Sequence, residues 1–515
     1  MAPTSAMAGP AVVPAHSSSR LSCQLPSRSA LPRLSSAPRS RRHEHSGVVA
    51  AHAAKPHGTA AAVGVFVDEK HALGDDVTVD YMMEASPSII TTADEFDESK
   101  LVLPEFEDIV SAYLRIKNAI PRTPCWHSEA LSKMTGMTIF LKGEHNQATG
   151  SFKERGARNA MLLLSKEKKE CGVVAASAGN HGLALSYHGR ALNIPVTVVM
   201  PETAPLTKIS RCEALGANVV LSGRNFTEAF AKACELRDAQ SLTYINGYDD
   251  PPILAGAGTV GMEILEQVDE LDAVVIPVGG GGLIAGMALA IKSVKPEIQV
   301  IGVEPSRVAS FSAALHNGAP ICIDPRGSTF ADGLAVLKVG PHAFALARKY
   351  VDKVITIPEK DIGLGVLRLI EEEKVVTEGG GATAVGAVVT GHLPELRGKR
   401  VAIVLSGGNI DITTLGRVIE RGLAADRRLV HFSVVISDKP GGLAALMGAV
   451  ADERASVKDI VHERAWLDDD VQTTEVQIVA ETMGQEHVKR LHARLSAEMD
   501  KLESLILRWG SRELN

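Results

Sequence analysis

The chain has 515 residues, 45% of them apolar and 22% charged, with a formal net charge of −7 at pH 7. That length corresponds to about three folding units of roughly 150 residues each. It contains no run of 18 or more apolar residues, which excludes a membrane-spanning helix, and an acidic balance without a basic cluster in the core argues against a nucleic-acid partner.

The first 43 residues hold six arginines, abundant Ser, Ala and Pro, and no acid before Glu44. No continuous apolar stretch interrupts them, so residues 1–65 read as an organelle transit peptide with an unstructured continuation rather than as a secretory signal. The Ser, Pro and Ala content points to a chloroplast before a mitochondrion. Residues 68–100 carry ten acids against two lysines, and 66–103 read as a solvated acidic linker with little apolar surface to bury. Six scattered cysteines (Cys23, Cys125, Cys171, Cys212, Cys234, Cys322) form no C-x-x-C pair, as expected of a reducing compartment without disulfides or a zinc site.

From 104 the pattern becomes globular. Strands are predicted over 172–177, 195–200, 217–221, 273–278, 299–303 and 400–405, and helices over 179–192, 206–215, 227–239 and 283–294. The strands are apolar throughout and alternate with helices, which indicates α/β architecture with parallel sheets covered on both faces. After Arg427-Arg428 the pattern changes. Strands over 429–436, 456–466 and 471–480 and helices over 441–452 and 486–498 give the order β-α-β-β-α of a ferredoxin-like unit, with Asp468-Asp469-Asp470 as a turn. Past Glu498 no segment reads as a clear final strand; Leu505–Trp509 is a poor candidate.

Four stretches carry chemistry. Thr149–Ala157 contains Ser151-Phe152-Lys153 at the start of an apolar-periodic run, with Ser151 as an N-cap and Lys153 in the first helical turn. The positive end of the helix disfavours an ammonium there and pushes Lys153 towards the neutral amine, the form that condenses with a carbonyl. Alone, such a lysine is more often a surface charge. Gly279-Gly280-Gly281-Gly282-Leu283 links a strand to a helix and suits an anion held by backbone N–H groups. It also satisfies G-x-G-x-x-A, with Glu304 ending the next strand, a formal dinucleotide fingerprint that four consecutive glycines meet easily. Ser177-Ala178-Gly179-Asn180-His181-Gly182 opens a helix at a strand end and suits a carboxylate or phenolate. Ser406 in Ser406-Gly407-Gly408-Asn409 lies at the carboxyl end of a late strand, where ligands gather in open α/β sheets.

As a set, these motifs resemble the fold-type II pyridoxal-phosphate enzymes, and within them the threonine and serine dehydratases. Phe330–Val336 and Glu378-Gly379-Gly380-Gly381-Ala382 resemble the same subgroup, and the likeness runs over 104–425. The resemblance implies two parallel-sheet αβα subdomains around pyridoxal 5'-phosphate. Lys153 would hold the cofactor covalently and remove the substrate α-proton, with Ser177 as the other catalytic residue. Phe152 would pack beside the ring, Gly279–Leu283 would bind the phosphate, Asn180 the ring hydroxyl, and Ser406 would face the pyridine nitrogen. Ser177, Gly179, Asn180 and His181 would receive the substrate. A serine at the ring nitrogen makes a weaker electron sink than a carboxylate, which suits expulsion of a β-hydroxyl. Glu304 matches one acidic ligand by which relatives hold an activating cation, monovalent or divalent; Ser310 stands where a second acid would be, so a monovalent ion or none is expected. The tail, 429–508, resembles an ACT domain, an amino-acid-sensing module, with Asp438, Pro440, Gly441, Gly442 and Leu443 as its effector loop. The implied protein is a homo-oligomer, a dimer or tetramer, that acts on L-threonine or L-serine and serves isoleucine supply or amino-acid breakdown. A dehydrogenase rests on the glycine loop alone. A β-replacing synthase would carry T-S-G-N-T, a racemase would carry a serine at Ala178, and a non-enzymatic sensor would have no use for Lys153.

Overall fold

The computed structural model describes residues 78–80, 96–465, 471–501 and 506–509; the basic leader, most of the acidic segment and the Asp468–Asp470 turn lie outside them. Three sheets organise the rest. The largest has seven strands in the order Thr78–Asp80, Lys353–Ile357, Gln299–Pro305, Ala273–Pro277, Arg400–Val404, Thr138–Lys142 and Cys125–Ser128. All neighbours run parallel except the last pair, where Cys125–Ser128 runs antiparallel to Thr138–Lys142. Its central strands are buried on both faces, which is why they read as continuous apolar runs such as Ala273-Val274-Val275-Ile276.

The second sheet is wholly parallel, in the order Asn218–Leu221, Val196–Met200, Val173–Ala176, Thr243–Tyr244. The third is antiparallel, in the order Ser456–Glu463, Thr473–Glu481, Leu429–Ser437, Ile506–Trp509. Helices Gly442–Asp452 and Gln485–Lys501 pack on it around Phe432, Leu446, Ile478 and Leu491. Here the structure corrects the reading of the tail. Ile506–Trp509 is the fourth strand, beside Phe432–Val435, and it completes βαββαβ. Four residues are too few to show an alternating pattern, so pairing with the first strand defines it.

The acidic segment also departs from expectation. Thr78–Asp80 adds to the edge of the large sheet beside Lys353–Ile355. Phe96 packs edge-on against Phe344, centroids 5.3 Å apart, and Glu98 pairs with Arg348 at 2.5 Å. Phe96 and Glu98 dock the end of this stretch on helix Pro341–Tyr350. No helix among the described residues is long and apolar enough to cross a membrane.

Close helix packing sets the spacing of the site. Helix Pro251–Gln267 lies between Lys153–Leu162 and Gly282–Val294. A Cβ at Gly256 would sit 2.6 Å from Gly156 Cα, and one at Gly286 2.2 Å from the Leu254 carbonyl oxygen. Only glycine lets these backbones touch, and that contact fixes the distance from Lys153 to the glycine loop.

Candidate active site

Lys153 opens the helix Lys153–Leu162 and is half-buried, its amine donating to the Gly247 carbonyl at 2.5 Å. Burial pushes the amine down to about 8, against an opposing pull from the Glu378 carboxylate. The shift towards the neutral amine therefore has the expected direction, but it comes chiefly from desolvation rather than from the helix end. Ser151 does not cap that helix. The helix has no side-chain cap, Ser151 Oγ is buried without a partner, and Ser151 instead bridges Gly407 in a short antiparallel pairing. Phe152 N–H donates to the Ser406 carbonyl at 3.1 Å and Gly408 N–H to the Gly150 carbonyl at 2.9 Å. This stapling brings Ser406, from the end of Arg400–Val404, beside Lys153. Ser406 is buried, with Oγ 3.4 Å from the Gly380 carbonyl.

The glycine loop follows strand Ala273–Pro277 and opens helix Gly282–Val294, with Gly281 at φ +89° as its N-cap. That conformation excludes a side chain cheaply only for glycine. The walls press in as well: a Cβ at Gly280 would fall 2.4 Å from the Tyr248 ring, at Gly282 2.3 Å from the Tyr248 carbonyl, and at Gly279 2.8 Å from Leu334 Cα. The first N–H groups of the helix have no intrahelical acceptor and point into this cradle. Phe152, Lys153, His181, Gly282 and Leu283 line one cavity together with Gly247.

Ser177 accepts from Gly179 N–H at 3.3 Å and Gly182 N–H at 3.2 Å, so its oxygen caps the helix Asn180–Leu192 and its own proton remains to donate. Gly179 faces open space. His181 is buried with Nε2 3.0 Å from the Ile245 carbonyl, and burial, aided by the Lys153 charge, pushes it down to about 4; it is a neutral imidazole. Asn180 donates to Glu378 Oε1 at 2.7 Å and accepts from Asn409 at 2.8 Å.

Glu378 is the residue that motif reading left without a role. It starts the helix Gly379–Val389, is buried, and is raised to about 7 by burial, with Asp332 adding to the effect and Asn180 opposing it. The signal available was an acid directly before three glycines at a helix start; its partner Asn180 lies 198 residues away.

The Glu304 side chain lies at the start of a helix. Oε1 accepts from Phe311 N–H at 2.8 Å, and Oε2 accepts from Ser312 N–H at 2.8 Å and Ser312 Oγ at 2.6 Å. Both oxygens serve the first turn of helix Ser310–Asn317, and no group of three or more His, Cys, Asp or Glu side chains that could hold a metal occurs among the described residues. Burial raises this carboxyl to about 7 from 4.5. Stability from the protonated form is therefore complete below about 4.5 and is lost as pH rises through about 7. Glu304→Gln should flatten the thermal midpoint between pH 5 and 8 relative to the parent chain, by the equivalent of about 3 kcal/mol at most. Parallel curves for the two proteins would show that Glu304 does not titrate in this window.

A half-buried amine softened by desolvation, facing a glycine cradle for an anion in a cleft between two parallel-sheet subdomains, defines an enzyme that uses a carbonyl-bearing phosphate cofactor. Comparison supplies the family. The family described as Pyridoxal-phosphate dependent enzyme matches residues 116–407, and the chain belongs to it. It is 41% identical over 392 residues to the L-threonine ammonia-lyase of Thermotoga maritima, covering 76% of this chain and 97% of that one. Among solved structures, the processed threonine deaminase isoform 2 of Solanum lycopersicum is 34% identical with a TM-score of 0.59, covering 66% of this chain and 98% of that one. Maize serine racemase is 30% identical with a TM-score of 0.59, covering 63% of this chain and 99% of that one. The cofactor is pyridoxal 5'-phosphate, and the cradle, the half-buried amine and the Ser406 loop fit it.

Proposed function

We propose that the protein converts L-threonine to 2-oxobutyrate and ammonia, and L-serine to pyruvate and ammonia. The observation that carries this reading is the single cavity holding the Lys153 amine and the start of the glycine-loop helix. When bound, the cofactor withdraws electrons from the substrate α-carbon. Lys153 would hold the cofactor through its amine and, once that amine is free, would take the substrate α-proton at Nζ. The Gly279–Leu283 amides would hold the phosphate, and Asn180 would orient the ring through its hydroxyl. Ser177, Gly179 and the neighbouring amides receive the substrate carboxylate, and Phe152 and His181 exclude water. Loss of the β-hydroxyl as water leaves an enamine that, once released, takes up water to give the 2-oxo acid and ammonia.

The test supplies purified protein with pyridoxal 5'-phosphate and follows 2-oxobutyrate from L-threonine, pyruvate from L-serine, and D-serine by chiral separation. The expected result is 2-oxo acid with little D-isomer. Ala178 offers no acid or base for the opposite face of the α-carbon, so D-serine appearing faster than pyruvate would overturn the assignment in favour of a racemase.

We further infer that the tail is an ACT domain and that the basic leader directs the chain to a chloroplast. Three features support the tail assignment. The βαββαβ topology is complete. Gly441, at φ +104°, caps helix Gly442–Asp452 at the foot of the Asp438–Leu443 loop, and Asp438 pairs with Arg464 through two contacts of 2.9 Å. The match to the Thermotoga maritima protein is longer than the stretch from 104 to 425. The ion pair Lys458–Glu420 at 2.7 Å ties the tail to the catalytic part, and Arg368–Asp426 at 2.5 Å and Arg428–Glu371 hold the junction before it. In this reading tails pair between subunits of a homo-oligomer, and isoleucine or valine at the loop shifts activity. Branched-chain amino acids titrated against threonine turnover should change the half-saturating threonine concentration about 5- to 150-fold in the full chain and not in one ending near Arg427. Identical, unresponsive curves for both would leave the tail a structural role only.

A further inference from the structure

Asn409 sits where three elements meet. It follows strand Arg400–Val404 of the large sheet. Its Oδ1 accepts from Arg211 Nη1 at 2.9 Å, and its Nδ2 donates to the Thr149 carbonyl at 2.6 Å and to Asn180 Oδ1 at 2.8 Å. Arg211 belongs to helix Leu206–Ala214, which packs on the small sheet. From the same helix Lys208 reaches Asp332 of the large subdomain at 2.6 Å. Gly150, at φ +79°, makes room: a Cβ there would lie 2.7 Å from Asn409 Oδ1.

The direction of every bond in this chain is dictated by chemistry. A guanidinium only donates and a backbone carbonyl only accepts. Arg211 therefore takes the oxygen of Asn409, and Thr149 takes one N–H. The second N–H of Asn409 is left for Asn180, which must offer its oxygen. The Asn180 NH2 then faces Glu378, with one N–H still free. A rotated Asn180 amide would set NH2 against NH2 at Asn409 and oxygen against the Glu378 carboxylate.

We propose that Arg211 and Asn409 are positioning residues that lock the amide of Asn180 with its NH2 towards the cofactor's ring hydroxyl, so that docking of the small-subdomain helix completes the cofactor site. This rests on the pyridoxal-phosphate reading above. Neither residue needs to touch the cofactor or the substrate. The locked donor stabilises the ionised ring oxygen, so losing it raises the pH at which the cofactor's visible band titrates.

The test uses the holoprotein and measures the pH midpoint of that band, the dissociation constant for pyridoxal 5'-phosphate and the thermal midpoint. Asn180→Ala and Asn409→Ala should both move the band midpoint upwards and weaken cofactor binding by about 2- to 10-fold, as loss of one hydrogen bond implies. Arg211→Met, on the exposed helix, should move both in the same direction by less, and Arg211→Lys should restore most of the difference. Asn409→Ala that lowers the thermal midpoint but leaves band and affinity at parent values makes Asn409 a structural tether and overturns the proposal. So does an unshifted band in Asn180→Ala. If Asn409→Ala does not fold, parent-like band and affinity in Arg211→Met overturn it. A parent protein that develops no visible band with the cofactor would instead remove the cofactor reading itself.

Discussion

Replacing Lys153 with alanine should abolish the visible cofactor band, prevent borohydride from fixing cofactor to the protein, and lower threonine turnover by about 1,000-fold or more, since covalent attachment and proton transfer are lost together. The free amine has a second signature. Its pKa is pushed down by burial to about 8. Below that value the amine carries a proton and cannot attack the cofactor carbonyl; above it the neutral form dominates. The rate at which cofactor-free protein takes up pyridoxal 5'-phosphate should therefore rise with pH and level off near 8, not near the ordinary lysine value of about 10.4. Uptake still rising steeply at pH 10 would mean that the site does not desolvate Lys153. Retained band and turnover in Lys153→Ala would place the chemistry on another residue.

The second large effect lies beneath the site. Two residues along the same helix, Arg155 is buried between Glu144 and Glu263. It donates to Glu144 through Nε and Nη2 at 2.8 Å each, and to Glu263 through Nη1 at 2.7 Å and Nη2 at 2.8 Å. Lys142, also buried, reaches Glu263 at 2.6 Å. Burial alone would raise the Glu144 carboxyl, but the Arg155 guanidinium more than offsets this and holds it at about 2. Two cations and two anions thus balance in a buried cluster. Arg155→Met leaves two carboxylates facing one lysine, and breaking a buried pair from one side costs about 3–5 kcal/mol. The unfolding midpoint in denaturant should fall accordingly, and cofactor affinity with it, because the ion cluster joins the Lys153 helix to strand Thr138–Lys142 and helix Pro251–Gln267. Lysine should not rescue the loss, since an ammonium cannot make the forked contacts to both acids. A variant within about 1 kcal/mol of the parent would show that neighbouring water or protonation relieves the cluster.

How legible this molecule was depends on the range of the interaction concerned. Alternating apolar strands and amphipathic helices follow from each segment's own side chains, so Val196–Met200, Ala273–Pro277 and Gly282–Val294 were found within a residue or two of their ends. The glycine loop, Ser177–Gly182 and Ser406–Asn409 were legible because a strand end opening onto small residues is a local feature with one common use. Short pairing partners were not legible. Cys125–Ser128, Thr78–Asp80 and Ile506–Trp509 have too few residues for a period, and their neighbours in the sheets define them.

The site divides along the same line. By itself the sequence determined which backbone segments could hold an anion and which lysine could serve as nucleophile, since both are properties of a helix start and its immediate neighbours. Only the tertiary structure decided the electrostatics. It brought a half-buried Lys153 near a buried Glu378 and set Arg155 among carboxylates. It turned Glu304 onto a helix end, and it joined Asn180 to Asn409 and Glu378 across more than 190 residues of chain. Desolvation and amide orientation depend on what surrounds a group in three dimensions, and no local pattern in the chain encodes those surroundings.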